Sequence, residues 1–309
     1  MITNENTTVR LLAYNTHLFG NAFPGNIEQY QDEWRATLIA EKLKNSGADF
    51  IGLSEVWDDD MAQLIITGVE EVYPHYYMPQ GHGGLIDRLY SGLLLLSKCP
   101  LNEPTFTEYD NLTPSEALSH KGFARARVEI SSGGRPIELV LVLTHMQAGQ
   151  DNQNEIAKRM DNIIQLNDAI EHFQEQNPAA SVLAFGDFNV IGEDEQGVPT
   201  LEYGEMIGHF ESTQLTDSFR ELWTNAEQKP GFTYDGPCNK LIHEFAPKND
   251  KVRRRLDYVF YSTKGNDDVT LTVTEGKVLT DYTFENNPMD LMDLSDHYPL
   301  LVKVKVDNK

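Results

Sequence analysis

The chain has 309 residues, 25 of them basic and 48 acidic, for a formal charge of -23. So negative a surface repels a polyphosphate backbone and matches an anionic bilayer poorly, which disfavours general binding to DNA or RNA and leaves room for a zwitterionic or small substrate, or one reached through a bound cation. Two cysteines, Cys99 and Cys238, allow one bridge and imply no disulfide framework. The stretch 1–8 is short and polar, and no later apolar run is long enough to span a bilayer, so the expectation is a soluble chain, cytoplasmic or secreted after loss of a signal. Apolar, β-branched runs at 9–14, 50–53, 92–96, 123–130, 137–143, 182–185, 256–261, 269–273 and 300–306 read as strands. Several are continuously apolar, as strands covered on both faces are. Between them Trp34, Leu38, Ile39 and Leu43 share one face of a helix stopping near Gly47. Ile156, Met160, Ile163, Ile164, Ile170 and Phe173 do the same in a longer helix ended by Asn177-Pro178. Ser131-Ser132-Gly133-Gly134 predicts a hairpin turn, and 193–203 and 230–253 read as long loops. No Pro/Gly/Ser-rich linker divides the chain, so 1–309 is expected to be one domain with its core at about 9–306.

The polar residues that stand out lie at the ends of these strands. Glu55 closes Ile51-Gly52-Leu53-Ser54, where a carboxylate needs a partner, either a salt bridge or a cation. Asp187 and Asn189 follow the strand 182–185; two apart, they share a face in extended chain and suit a phosphate oxygen and its attacking water, or they make a turn through their own backbone. His145 at the end of 137–143 can hydrogen-bond an oxyanion or a leaving oxygen. Asn15 ends the first strand, placed to orient a metal ligand, while His17 has no evident role. Asp257 opens a strand and would fix the tautomer of a nearby imidazole. That imidazole is His297, in the turn Ser295-Asp296-His297 ahead of the last strand. The basic run Lys251, Arg253, Arg254, Arg255 is read as a solvated loop rather than a phosphate site.

In this order, Tyr14-Asn15, Ser54-Glu55, Thr144-His145, Gly186-Asp187-Phe188-Asn189, Leu256-Asp257-Tyr258 and Ser295-Asp296-His297 resemble the endonuclease/exonuclease/phosphatase superfamily along essentially the whole chain. His145-Met146-Gln147-Ala148 and Lys121-Gly122 are similar to motifs of its neutral sphingomyelinases. The resemblance implies an α/β (α+β) DNase I-like fold, a four-layer sandwich of two packed mixed sheets flanked by helices. It implies a phosphodiesterase using Mg²⁺, or Mn²⁺ or Co²⁺ in its place, held by Glu55 with Asn15. His297 would be the general base, oriented by Asp257. Asp187 would position water or its proton, and Asn189 would hold a non-bridging oxygen. His145 would stabilise the transition state or protonate the leaving group, and Asp296 would brace the site or meet a second cation. Lys121 and Asn189 would meet substrate. Trp57 or Tyr14 would offer a π face to a choline head, the competing reading of Trp57 being core packing. The implied substrate is a phospholipid met at a transient membrane surface, sphingomyelin giving ceramide and phosphocholine, with nucleic acid disfavoured by charge and no obligate protein partner. The same residues would serve a phosphomonoesterase or nuclease, and a catalytically inactive binding protein is the rival of another class. One departure is that 281–294, with Tyr282, Phe284, Met289, Leu291 and Met292, lacks the aromatic pair at a hairpin tip with which secreted bacterial sphingomyelinases enter membranes.

Overall fold

The computed structural model describes residues 3–4, 7–20, 31–79, 91–150, 152–283 and 293–309. Its strands in chain order are β1 Thr3–Asn4, β2 Thr7–Leu18, β3 Phe50–Val56, β4 His75–Tyr77, β5 Leu94–Ser97, β6 Asn102–Glu108, β7 Gly122–Ser132, β8 Arg135–His145, β9 Ser181–Asp187, β10 Thr216–Asp217, β11 Tyr234–Asp235, β12 Arg253–Arg254, β13 Asp257–Ser262, β14 Val269–Val278 and β15 Leu300–Asn308. The helices are α1 Asp32–Lys44, α2 Asp59–Val69, α3 Gln153–Gln176, α4 Leu201–His209, α5 Ser218–Leu222 and α6 Lys240–Phe245. One sheet of seven strands runs β1-β7-β8-β9-β13-β10, with β6 also paired to β7; a six-stranded sheet runs β14-β15-β2-β3-β5-β4.

Period-two alternation sorts each central strand between two apolar layers. Along β2, Val9, Leu11 and Ala13 enter a core shared with Ala124, Leu141, Leu143, Phe185 and Val302, which lies between the sheets. Leu12 and Tyr14 point the other way and pack with Ile39 and Leu43 of α1 and Met61 and Ile65 of α2. On β8 the even-numbered Val140 and Val142 leave the central core and meet Ile163, Leu166 and Ile170 of α3. The result is the expected helix–sheet–sheet–helix sandwich, with apolar burial worth roughly 1.5–3 kcal/mol per large aliphatic side chain as its driving force. Gly52 permits the close approach of the sheets: a Cβ there would meet Leu143 Cδ1 at 2.4 Å and the Phe185 ring at 2.5 Å.

Two connections position the site. β2 and β3 are parallel neighbours, with α1 between them in sequence, and Asn15 pairs in register with Ser54. β8 and β9 are parallel neighbours joined through α3, with His145 opposite Asp187. Parallel pairing sets the carboxyl ends of joined strands side by side, so polar residues there converge. β13 runs antiparallel to β9, and its first residue, Asp257, stands opposite Asp187.

The β7–β8 hairpin turns at Gly133-Gly134, both at positive φ (57° and 78°), as a type I′ turn requires. The two expected loops are more ordered than their composition suggests. Segment 193–203 closes on itself through a bridge between Glu193 and Pro199, and its last residues open α4, with Thr200 as N-cap. Segment 230–253 holds β11, α6 and the first residue of β12, and β11 and β12 pair with each other while Tyr234 also bridges to His297. The solvated-loop reading holds for part of the basic run: Lys251 and Arg253 are exposed, Arg253 pairing with Asp235, but Arg255 is 1% exposed and bonds Glu193 and Asp217. Cys99 is buried, Cys238 is exposed, and both are free thiols. Residues 284–292, which include the Phe284, Met289, Leu291 and Met292 noted in the sequence, lie outside the described residues; Tyr282 before them is buried edge-on to Tyr14. Among the described residues no helix is long and apolar enough to cross a membrane.

Candidate active site

At the strand ends the two sheets meet through side chains. Asn15 Nδ2, on β2, donates to Glu55 Oε1 on β3 (2.8 Å) and to Asp187 Oδ2 on β9 in the other sheet (3.0 Å). One amide thus holds two carboxylates together. His145 Nε2 lies 3.8 Å from Glu55 Oε1 and 3.7 Å from Asp187 Oδ2, too long for hydrogen bonds. Both His145 nitrogens are fully buried with no hydrogen-bond partner among the described residues. Burial, reinforced by the nearby Lys121 ammonium, pushes the His145 pKa well below the ordinary imidazole value, so the ring is neutral.

The Ser295-Asp296-His297 turn is hooked onto this assembly. Ser295 Oγ donates to the Asn15 carbonyl (2.7 Å) and accepts the His297 N–H (3.2 Å). Asn239 Nδ2 donates to the Ser295 carbonyl (2.8 Å), and the Tyr298 N–H donates to the Thr233 carbonyl (2.7 Å). Thr233 Oγ1 in turn accepts from the N–H groups of Leu256 and Asp257. So pinned, His297 Nδ1 bonds Asp257 Oδ2 at 2.7 Å, which leaves Nε2 for chemistry. Burial lowers the His297 pKa, but Asp257 foremost, with Asp296 and Asp187, outweighs it and raises it to about 10. Asp187 is pushed up to about 7 by burial and by the neighbouring Asp257 charge, against His297 and the Asn15 bond. Glu55 goes the other way: burial raises it, yet the hydrogen bond and charge of His17 hold it below the ordinary carboxylate range.

Asn15, Glu55, His145, Asp187, Asn189, Asp257 and His297 all meet here. For Asp187 and Asn189 the turn reading applies: Asp187 Oδ1 caps the Asn189 N–H (2.8 Å), and Asn189 takes a left-handed φ of 56°. Its Nδ2 donates to the Met146 carbonyl (3.1 Å). Asp296 lies at the rim, with His17 Nδ1 3.6 Å from its Oδ1 and 3.5 Å from Glu55 Oε2. His17 is thus a site residue that the sequence reading passed over; its signal was its place two residues beyond Asn15 on one strand. Lys121 is buried, ion-paired with Glu116 and donating to the Met146 carbonyl (3.3 Å). Trp57 is 4% exposed, against Gly92 and tilted over His145 at 5.9 Å between centroids, and Tyr14 is equally buried. Neither aromatic presents an open face to a cationic head, so core packing is the reading that fits them. His17, Glu55 and Asn189 all adopt left-handed φ without being glycine, a cluster of backbone strain typical of functional sites.

The donor set suits a hard divalent cation. Ligand atoms of Glu55, His145 and Asp187 lie within 4.8 Å of one another, as do those of Asp187, Asp257 and His297. Among the described residues Asp257 Oδ1 and both His145 nitrogens are buried without a hydrogen-bond partner, and burial with the neighbouring carboxylates raises Asp187. Oxygen-rich ligation with few carboxylates is the preference of Mg²⁺.

The profile of the Endonuclease/Exonuclease/phosphatase family matches residues 14–297. The chain is 26% identical over 281 residues to the "Putative neutral sphingomyelinase" of Drosophila melanogaster, covering 88% of this chain but only 56% of that protein. It therefore spans little more than half of that relative's length. It is 24% identical to the sphingomyelinase C of Listeria ivanovii, covering 94% of this chain and 85% of that one. A doubly substituted beta toxin from Staphylococcus aureus, solved with bound magnesium ions, superposes with a TM-score of 0.66 at 20% identity, covering 96% of this chain and 99% of that chain.

Proposed function

The chain belongs to the endonuclease/exonuclease/phosphatase family, and from that premise we propose that it is a divalent-metal-dependent phosphodiesterase that hydrolyses a phospholipid, sphingomyelin foremost, to ceramide and phosphocholine. The observation that carries this reading is the 2.7 Å Asp257–His297 pair beside Asp187, Glu55 and an unpartnered His145. Glu55, kept in place by Asn15 and flanked by Asp187 and His145, would hold Mg²⁺. A cation there supplies Lewis-acid polarisation of the phosphoryl oxygen and offsets charge on the leaving alkoxide.

The remaining roles belong to the chain's own groups. In its neutral form, which the charge of a nearby cation would favour against the pull of Asp257, Asp296 and Asp187, His297 takes a proton from the attacking water at Nε2, while Asp257 at Nδ1 fixes the tautomer and stabilises the imidazolium. Asp187, near neutrality in its titration, positions that water or shares its proton. Asn189 donates an amide N–H to a non-bridging oxygen. Neutral His145 can donate its single ring N–H to the leaving oxygen. The charge of -23 favours a zwitterionic head over a polyanion, and the two named relatives are called sphingomyelinases.

The test is a parallel assay of sphingomyelin, lysophosphatidylcholine, inositol phosphates and plasmid DNA with Mg²⁺ and with chelator. Phosphocholine release from sphingomyelin that chelator abolishes is the expected outcome. Brisk DNA cleavage with silent lipids would overturn the substrate assignment, and no turnover at all would favour a binding protein.

A further inference from the structure

Asn189 is held by Gln150, and Gln150 by Arg254, two residues that none of the motifs contains. Gln150, in the connection from β8 to α3, donates from Nε2 to Asn189 Oδ1 (3.0 Å) and to its carbonyl (3.4 Å). Arg254, on β12, donates from Nη1 to Gln150 Oε1 (2.9 Å). Arg254 is fixed in turn because β12 pairs with β11, with Arg254 opposite Tyr234, and Tyr234 bridges to His297 with its ring 5.5 Å from the imidazole. The small β11–β12 sheet thus touches His297 directly and reaches the Asn189 amide through Gln150.

We propose that Gln150, oriented by Arg254, is a positioning residue that sets the amide of Asn189 for catalysis, a role that rests on the phosphodiesterase reading above. The physical need is specific. The two ends of an asparagine amide are nearly the same size but opposite in hydrogen-bonding sense. Asn189 must present N–H to a phosphoryl oxygen; turned over, it would present a carbonyl and repel it. The Met146 carbonyl, accepting from Nδ2, favours the productive sense, and a donor at Oδ1 favours it again from the other end. Gln150 can donate to Asn189 only while its own oxygen is the atom toward Arg254, because an amide has one acceptor end and one donor end. The guanidinium, which only donates, therefore fixes the orientation of Gln150, and Gln150 fixes that of Asn189. The clamp on the Asn189 carbonyl also supports the left-handed backbone there.

The chemistry of the relay makes an isosteric substitution decisive. Gln150→Glu keeps an acceptor for Arg254 but has no donor for Asn189 Oδ1. Gln150→Glu and Gln150→Ala are each expected to lower kcat about tenfold or more, with KM moving less than about twofold. Arg254→Ala loses several-fold in kcat and Arg254→Lys regains part of it. In an Asn189→Ala background, neither Gln150 variant lowers kcat further, because residues acting through one group do not act independently. A Gln150→Glu enzyme with full kcat, an effect confined to KM and erased by salt, or losses that multiply in the Asn189→Ala background would each overturn the proposal. Failure of the substrate reading is seen separately, as a wild-type chain with no phosphodiester turnover. The relay is then read from the side-chain amide resonances of Asn189 in selectively labelled protein. They are expected to shift in Gln150→Glu and in Arg254→Ala; unchanged resonances would sink the relay on their own.

Discussion

At the scale of the residue, the site is a set of polar groups that each lack something in the fold. Asp187 sits where burial and Asp257 raise its pKa, and among the described residues neither His145 nitrogen nor Asp257 Oδ1 has a hydrogen-bond partner. Such groups are costly to stability and are retained where chemistry uses them. Asp257→Asn tests the most direct of these. The amide keeps the shape of the carboxylate but cannot stabilise an imidazolium, so kcat should fall about 10²–10⁴-fold with the chain still folded. Stopped assays on phosphocholine release, with circular dichroism as the control, measure it; a loss of less than threefold would remove His297 as the base. At this scale the sequence was informative wherever a polar residue closed an apolar run, as at Glu55, His145, Asp187 and Asp257. It gave no role to His17, whose partners Glu55 and Asp296 are 38 and 279 positions away, was silent on Gln150, and read Arg254 only as part of a solvated basic run.

At the scale of the element, the exit from β9 carries the most constraint. Gly186 has a φ of +133°, and a Cβ there would lie 2.1 Å from the Thr144 carbonyl oxygen on β8. Only glycine lets the two strand ends approach closely enough to set Asp187 beside His145. Gly186→Ala should therefore destabilise by about 1–3 kcal/mol from backbone conformation alone, more with the steric clash, and lose activity beyond the loss of folded protein. Urea midpoints and specific activity per folded molecule report the two effects; a wild-type midpoint would show that β8 and β9 can separate there freely. The strands and long helices were legible because periodicity records burial. The elements β11, α6 and β12 were not, since they are only 2, 6 and 2 residues long, too short for a periodic pattern, and the strands pair with distant partners, such as Thr233 with Arg254 and Tyr234 with His297. Composition read them as loop.

At the scale of the whole molecule, an acidic chain keeps its few buried cations fully paired. Glu193 accepts from Arg220 and Arg255, and Arg255 reaches on to Asp217 at 2.7 Å, tying the 193–203 segment to β10 and α5. Burial raises the Glu193 carboxyl, but the hydrogen bonds and charges of Arg220 and Arg255 outweigh it and leave it below the ordinary range. The sign follows directly. The unfolded chain takes up this proton near pH 4.3, whereas the folded chain resists until lower pH, so acid favours unfolding. The stabilisation is complete above about pH 4.3 and is lost as pH falls through the folded value. Glu193→Ala should cost about 3–5 kcal/mol at neutral pH by removing the carboxylate that Arg220 and Arg255 share, which leaves Arg255 with Asp217 and Arg220 with backbone carbonyls, and its stability should fall less steeply between pH 5 and 3 than that of the wild type. Thermal melts across that range decide it, and parallel curves would show that other carboxylates govern acid unfolding.

The sequence by itself determined the layers, the strand ends and the chemical types waiting there, because alternation and polarity are local properties that burial imprints on the chain. The order of its motifs was enough to identify the family. Only the tertiary structure decided which polar residues meet, which brace one another and which, like Trp57 and Arg255, are core. Those outcomes depend on two sheets meeting across Gly52 and on partners up to 280 residues apart, such as Ser295 on Asn15, and no local pattern encodes a distance of that kind.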